Sequence, residues 1–320
     1  FIKAANICDS KDIKYNLGIA FYKYGNTLEA EKYLKQAVDK NSSSPVRLNN
    51  LASVLLANGS DYELAVELAR KALKLNKDFK PALDTIARAL FAAGQRLEAL
   101  KTINEAIKKY SGEAYLKTTK QEIVSGYTAH FLFLIKSGNT KAGLSGLKKA
   151  DFESSVALVY CQVLSRLGQA EKALQMASQY QGQFRSNQKF KDLYNEIMSR
   201  QIQEFYIIYK QGNENRALAL SKDFSEKYPK SPEAKKAYDE LFNAFIETGD
   251  IKVPQTRVAK KDSGTNLEVD SLLASIGTLN KREALNTEDT SLIIDVDSNI
   301  PNGKRKNKYA VALLIGNQRY

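Results

Sequence analysis

The chain has 320 residues, 43% hydrophobic and 26% charged, with 17 Gly, 6 Pro and no Trp, which suffices for a large core or a long repeat array and excludes wholesale disorder. Its 48 Lys and Arg outnumber 36 Asp and Glu, leaving +12. The lysines are interspersed with glutamates along helix faces, without an arginine-rich or aromatic-interleaved stripe, so no specific nucleic acid is expected as a partner.

No apolar run reaches the roughly 18 residues that a membrane-spanning helix needs, so no transmembrane segment is expected. Two distant cysteines, Cys8 and Cys161, and one histidine, His130, make neither a disulfide framework nor a zinc site. No metal or cofactor is expected.

From residue 11 the chain repeats itself. The segment "YNLGIAFYKYGNTLEAEKYLKQAV" returns as "NNLASVLLANGSDYELAVELARKAL" and again as "DTIARALFAAGQRLEALKTINEAI". Small residues Gly18, Ala52 and Ala87 are 34 and 35 positions apart, as are Gly25, Gly59 and Gly94. Ala30, Ala65 and Ala99, followed by Ala37, Ala72 and Ala106, keep the same period to within one residue. A fixed period of this length is the mark of a stacked repeat.

Each unit reads as helix–turn–helix. Leu17, Gly18 and Phe21 share one face of a first helix, and Ala30, Leu34 and Ala37 share one face of a second. Glycine or alanine at the crossing points lets the two helices approach closely. Gly25 is placed to end the first helix in the left-handed conformation, and Asn26 to cap the second, with Glu29 three residues on. Gly138-Asn139 and Gly212-Asn213 carry the same turn chemistry.

These columns resemble the tetratricopeptide repeat (TPR) family, with its 34-residue period and early Leu-Gly, strongly over residues 11–110 and more loosely over 113–248. The family's usual early tryptophan is missing, Lys14 standing in that place in the first unit. The resemblance implies an all-α, right-handed solenoid whose concave side is lined by first helices. The first-helix positions facing that groove are then Tyr15, Ile19, Tyr22, Asn49, Asn50, Ser53, Leu56, Asp84, Arg88 and Phe91. This aromatic and polar lining suits a protein or peptide partner, extended or helical. Some TPR proteins clamp the acidic carboxyl end of chaperone tails. Asn50 and Arg88 fit that pattern, whereas Tyr15, Ile19 and Asp84 depart from it, and Asp84 would repel a carboxylate.

Regular repeats are thus expected over 1–110, and degenerate ones with a closing helix over 111–249. In the second region the turn glycines are Gly138, Gly168 and Gly212, with first helices lengthened near 113–137 and 187–211. Tyr228-Pro229 closes a unit, and a last helix runs from about Pro232 to Thr248. His130, beside Phe131 and Phe133, has no catalytic or ligating neighbour one turn away and reads as a packing or surface side chain. Cys161 falls in the small-residue column and reads as buried rather than nucleophilic.

Residues 250–307 read as a linker, partly disordered, rich in Ser, Thr, Asn, Asp and Lys. One amphipathic patch survives in it: Val269, Leu272, Leu273 and Ile276, at i, i+3, i+4 and i+7. "SLIIDVD" is patterned as an edge strand. A basic cluster, Lys304, Arg305, Lys306 and Lys308, marks the next boundary.

Residues 308–320 differ from all before them. Val311 to Ile315 form an apolar run stopped by Gly316-Asn317, the pattern of a strand buried on both faces. Together with the flanking aromatics, "YAVALLIGNQRY" is similar to the first strand of the caspase-like peptidase domain, an α/β fold with a Cys-His dyad. With Phe1 at its head and a strand opening at its tail, the chain reads as a piece of a longer protein. The resemblance implies the interaction region of a caspase-like cysteine endopeptidase. The piece itself holds no catalytic residue, since that dyad follows later strands. The alternative is a non-enzymatic TPR adaptor, of the kind that serves envelope or complex assembly.

Overall fold

The computed structural model describes residues 10–38, 42–247 and Ser271. Among the described residues there are thirteen α-helices and no strand. Three pairs come first: α1 (Lys11–Lys23) with α2 (Thr27–Ala37), α3 (Pro45–Asn58) with α4 (Tyr62–Leu75), and α5 (Lys80–Ala92) with α6 (Arg96–Lys109). Then follow α7 (Ala114–Lys136) with α8 (Thr140–Lys149), α9 (Ser154–Arg166) with α10 (Ala170–Gln183), and α11 (Lys189–Lys210) with α12 (Glu214–Lys227). A last helix, α13 (Pro232–Glu247), closes the series. Six pairs and a closing helix, with α7 and α11 the long members, are the arrangement that the spacing of the turn glycines predicts.

Those turns are made as glycine allows and other residues do not. Gly25, Gly59, Gly94, Gly138, Gly168 and Gly212 all have positive φ, at 80, 64, 80, 88, 74 and 80°. The amide after each glycine reaches back five residues: Asn26 N–H donates to the Phe21 carbonyl at 2.9 Å, and Gln95 to Leu90 likewise at 2.9 Å. That bond satisfies a carbonyl left open by the helix end.

The second helices start on side-chain caps in the first two pairs. Asn26 Oδ1 accepts from Glu29 N–H at 3.2 Å and Asp61 Oδ1 from Leu64 N–H at 2.8 Å. At Asn139 and Asn213 the expected cap bond is not made. Their ψ angles are 55 and 51°, against 77° at Asn26. Identical dipeptides thus end the first helix alike and begin the second differently.

Packing divides the chain into two compact units, the first running to Tyr127 and the second beginning at Thr128, within α7. In unit one each pair packs on itself and on the next, α2 against α3 and α4 against α5. The small column makes this possible. A Cβ on Gly18 would lie 2.7 Å from Leu34 Cγ and 3.2 Å from the Ala30 carbonyl oxygen. Ala30, Leu34, Ala65, Ala69, Ala99 and Ile103 are fully buried along the second helices.

Unit two uses the same device with glycine where unit one has alanine. A Cβ on Gly143 would come within 2.7 Å of the Phe131 carbonyl oxygen, a backbone atom that cannot give way cheaply. Beyond it, Lys148 Nζ bonds Asp151 Oδ2 at 2.6 Å and the Tyr180 hydroxyl at 3.0 Å. Tyr180 in turn donates to Asp151 Oδ2 at 2.8 Å. Its ring packs with Phe184 and Phe190, whose rings stack on each other 5.4 Å apart.

Cys161 is fully buried, as its column implies. Burial pushes its thiol up from 9.0 to about 12, opposed only in part by Lys148. Thiolate is the reactive form, so at pH 8 the folded chain holds roughly a thousandfold less of it than the unfolded chain. Alkylation of a Cys8→Ala chain with iodoacetamide should accordingly be slow in buffer and fast in denaturant. Comparable rates in both would contradict this burial.

His130 lies edge-on to Phe131, ring centroids 5.0 Å apart. No helix among the described residues is long and apolar enough to cross a membrane. Apart from Ser271, the linker, its amphipathic patch and the strand at 308–320 lie outside the described residues.

Candidate functional site

The ten groove positions predicted from sequence all fall in unit one, on α1, α3 and α5. They occupy equal places in successive first helices: Tyr15, Asn49 and Asp84 stand ten residues before the turn glycine, and Tyr22, Leu56 and Phe91 stand three before it. The structure joins several of them across one repeat. Asn50 Nδ2 donates to the Tyr15 hydroxyl at 2.7 Å. Above the Tyr15 ring sits the Arg47 guanidinium, 4.8 Å from the centroid, and Arg47 also pairs with Asp12.

One helix on, Ser53 Oγ lies 3.4 Å from Thr85 Oγ1. Ser53 also donates to the Asn49 carbonyl at 2.9 Å, and Thr85 to the Pro81 carbonyl at 3.1 Å.

The next rung is the most heavily bonded. Arg88 Nε donates to Asp84 Oδ2 at 3.1 Å, Nη1 to Glu122 Oε2 at 2.6 Å, and Nη2 to Thr119 Oγ1 at 2.5 Å. Thr119 Oγ1 donates to Asp84 Oδ1 in turn. Burial works against the charged guanidinium, but the Asp84 and Glu122 carboxylates outweigh it and hold Arg88 above its ordinary pKa.

Asn49 departs from expectation. It is 5% exposed, and its Oδ1 has no hydrogen-bond partner among the described residues. Its short side chain ends inside the packing, where the longer Tyr15 of the same register reaches the half-exposed surface. Phe91 is also less free than a groove residue would be. A Cβ on Gly126 would stand 2.5 Å from its Cζ, and Arg96 lies 5.9 Å from its ring centroid. Ile19 and Leu56 are half-buried, and Tyr22 is 40% exposed.

Sequence reasoning missed Asp12, Arg47, Thr85, Thr119 and Glu122. A signal for four of them was available: Asp12 and Arg47 are 35 apart, Asp84 and Thr119 are 35, and Arg88 and Glu122 are 34. Complementary polar residues one period apart meet across neighbouring first helices.

The face is thus a polar ladder flanked by half-exposed apolar side chains. It holds no arrangement of nucleophile and base, and no group of three His, Cys, Asp or Glu able to bind a metal occurs among the described residues.

Comparison with known proteins finds no matching family model and no matching curated protein. Among solved structures the chain is similar to a TPR repeats protein from Bacteroides fragilis, at 17% identity and a TM-score of 0.37, over 74% of this chain and 99% of that one. It is also similar to the first TPR of Spaghetti (RPAP3) bound to an HSP90 peptide, at 20% identity and 0.32, over 36% of this chain and 92% of that one. The second TPR domain of human RPAP3, in complex with an HSP70 peptide, stands at 18% and 0.32, over 36% and 98%. At scores this low the likeness adds nothing to the repeat geometry, which stands on the chain's own columns.

Proposed function

We propose that the helix pairs are TPR-type repeats and that unit one is a protein-interaction module, holding a peptide segment of a partner across α1, α3 and α5. The observation that carries this reading is the bonded ladder of first-helix side chains. Side chains already fixed by Asn50–Tyr15, Ser53–Thr85 and Arg88–Asp84 bonds lose little further freedom when a ligand settles on them. Ile19, Tyr22 and Leu56, half-buried or exposed beside that ladder, offer the apolar anchors a bound segment needs.

The partner's chemistry follows from what the ladder has already spent. Asn50 is committed to Tyr15, and Arg88 is neutralised by two carboxylates. A chaperone-type acidic carboxyl terminus therefore finds neither of these side chains free, and an internal segment with apolar side chains is the better fit. Panning a random library of about 12-residue peptides against the full chain tests this. Enriched sequences should lose about tenfold or more in affinity, by fluorescence anisotropy, against a Tyr22→Glu, Leu56→Glu chain. Affinity indifferent to both changes would remove the face as the binding site.

The finer reading attaches this module to a caspase-like cysteine endopeptidase, and its support is the sequence resemblance of residues 308–320 alone. Labelling the intact protein with a thiol-directed peptide probe separates the two classes, since a folded product that takes no label supports a non-enzymatic adaptor.

A further inference from the structure

In register, α13 is the first helix of a seventh pair. Gly249 follows it by the spacing with which Gly212 follows α11, and the residue seven before each turn glycine marks the covered face. That residue is Gly18, Ala52, Ala87, Phe131, Cys161 and Phe205 in α1, α3, α5, α7, α9 and α11, half-buried at Phe131 and buried at the other five. In α13 it is Phe242, which is 43% exposed. Phe245 is exposed with it, and Ile246 is 63% exposed. Phe242 and Phe245, with the half-buried Tyr238 5.8 Å from Phe242 between ring centroids, form one apolar stripe, while Ile246, three before Gly249, holds the groove register of Tyr22, Leu56 and Phe91. The side of α13 next to this stripe, Ala234, Ala237 and Leu241, is buried, where the helix packs on α11 and α12. What α13 lacks among the described residues is the second helix that covers this stripe in the other pairs.

The sequence directly after Gly249 lacks the small residue that those crossings use. Five residues past the turn glycine stand Ala30, Ala99, Gly143, Ala173 and Ala217, all buried at the crossing point. Here the position is Pro254. Proline there removes an amide the helix needs and crowds the preceding turn.

The next apolar pattern in the chain has the required form. Second helices bury side chains at i, i+4 and i+7: Ala30, Leu34 and Ala37, or Ala99, Ile103 and Ala106. Val269, Leu273 and Ile276 keep that spacing, Leu272 widens the stripe, and Gly277 stands where such a helix would stop. Ser271 is helical and exposed, and on a helix it lies opposite Val269, Leu273 and Ile276. About 20 residues separate Gly249 from Val269, a reach of roughly 65 Å when extended. Closing a loop of that length costs little more than closing a short one.

We propose that residues 269–276 dock on the Tyr238, Phe242 and Phe245 stripe of α13, as the displaced second helix of a seventh pair. Hydrogen–deuterium exchange on the full chain tests it. Leu272→Asp with Leu273→Asp should speed exchange about tenfold or more in peptides covering 242–247. The reciprocal change, Phe245→Glu, should do the same to peptides covering 269–276. Exchange in unit one stays unchanged in both, which guards against global unfolding. Unaltered exchange at the untouched partner in either variant overturns the proposal. A wild-type chain that is dimeric by sedimentation, and that Phe245→Glu but not the leucine variant makes monomeric, overturns it too, because a second copy then covers the stripe.

Discussion

Replacing Tyr180 with alanine should destabilise unit two by about 3–5 kcal/mol, the cost of deleting a fully buried aromatic ring. The ring is the meeting point of two kinds of contact. Its edge and face pack with Phe184 and Phe190, while its hydroxyl closes the triangle with Lys148 and Asp151. Tyr180→Phe keeps the first and removes the second, leaving a half-buried Asp151 short of one donor, for about 1–3 kcal/mol. Urea unfolding followed by circular dichroism measures both. Because repeats contact mainly their neighbours, amide exchange should rise in α8 to α11 and stay low in α1 to α5. Equal losses for the two variants would mean that the hydroxyl, rather than the ring, holds this junction.

The same residue sets a pH dependence. Burial, then the bond to Asp151, raises the phenol above its ordinary value of 10.0. A group whose folded pKa is raised contributes fully below its unfolded pKa and loses that contribution as pH climbs beyond it. Wild-type stability should therefore be insensitive to this group from pH 6 to about pH 9, then fall as the unfolded phenol ionises above pH 10. In Tyr180→Phe that alkaline fall should be shallower. An identical slope would show that other tyrosines dominate it.

How much of this was legible beforehand varies with the kind of signal. The turn glycines were readable because a positive φ selects glycine at the residue level, and all six have it. The long first helices were readable from arithmetic. Gly94 to Gly138 spans 44 residues against 34 from Gly25 to Gly59, and the first helix within each span, α7 against α3, has 23 residues against 14. Most of the excess thus lies within one helix, which is why the later columns look degenerate although the turn chemistry is intact.

What sequence did not disclose is depth. Asn49 shares its register with Tyr15 and Asp84, and periodicity alone cannot tell a short side chain that ends in the packing from a longer one that reaches the surface. Nor did a face assignment disclose that Arg88 is bonded on three sides. That followed from residues one period away, Thr119 and Glu122, which lie on α7 in the half that still keeps the unit-one spacing.

Arg88→Ala should cost unit one about 1–3 kcal/mol, because it strands what the guanidinium now holds. Asp84 keeps one donor, Thr119, and loses the cation beside it; Glu122, with a side chain 49% exposed, is returned to water at little cost. Arg88→Lys should recover less than half of the loss, since an ammonium cannot span Asp84, Glu122 and Thr119 with the fixed fork of a guanidinium. The discriminating measurement is a double-mutant cycle between Arg88→Ala and Asp84→Asn. A coupling of about 0.5 kcal/mol or more identifies the pair as a working rung. It also bears on binding: if the ladder holds the first-helix face ready for a ligand, Arg88→Ala should weaken captured peptides even when they do not touch Arg88. A coupling near zero, with peptide affinity unmoved, would reduce the ladder to solvated surface charge and leave the apolar anchors to account for recognition on their own.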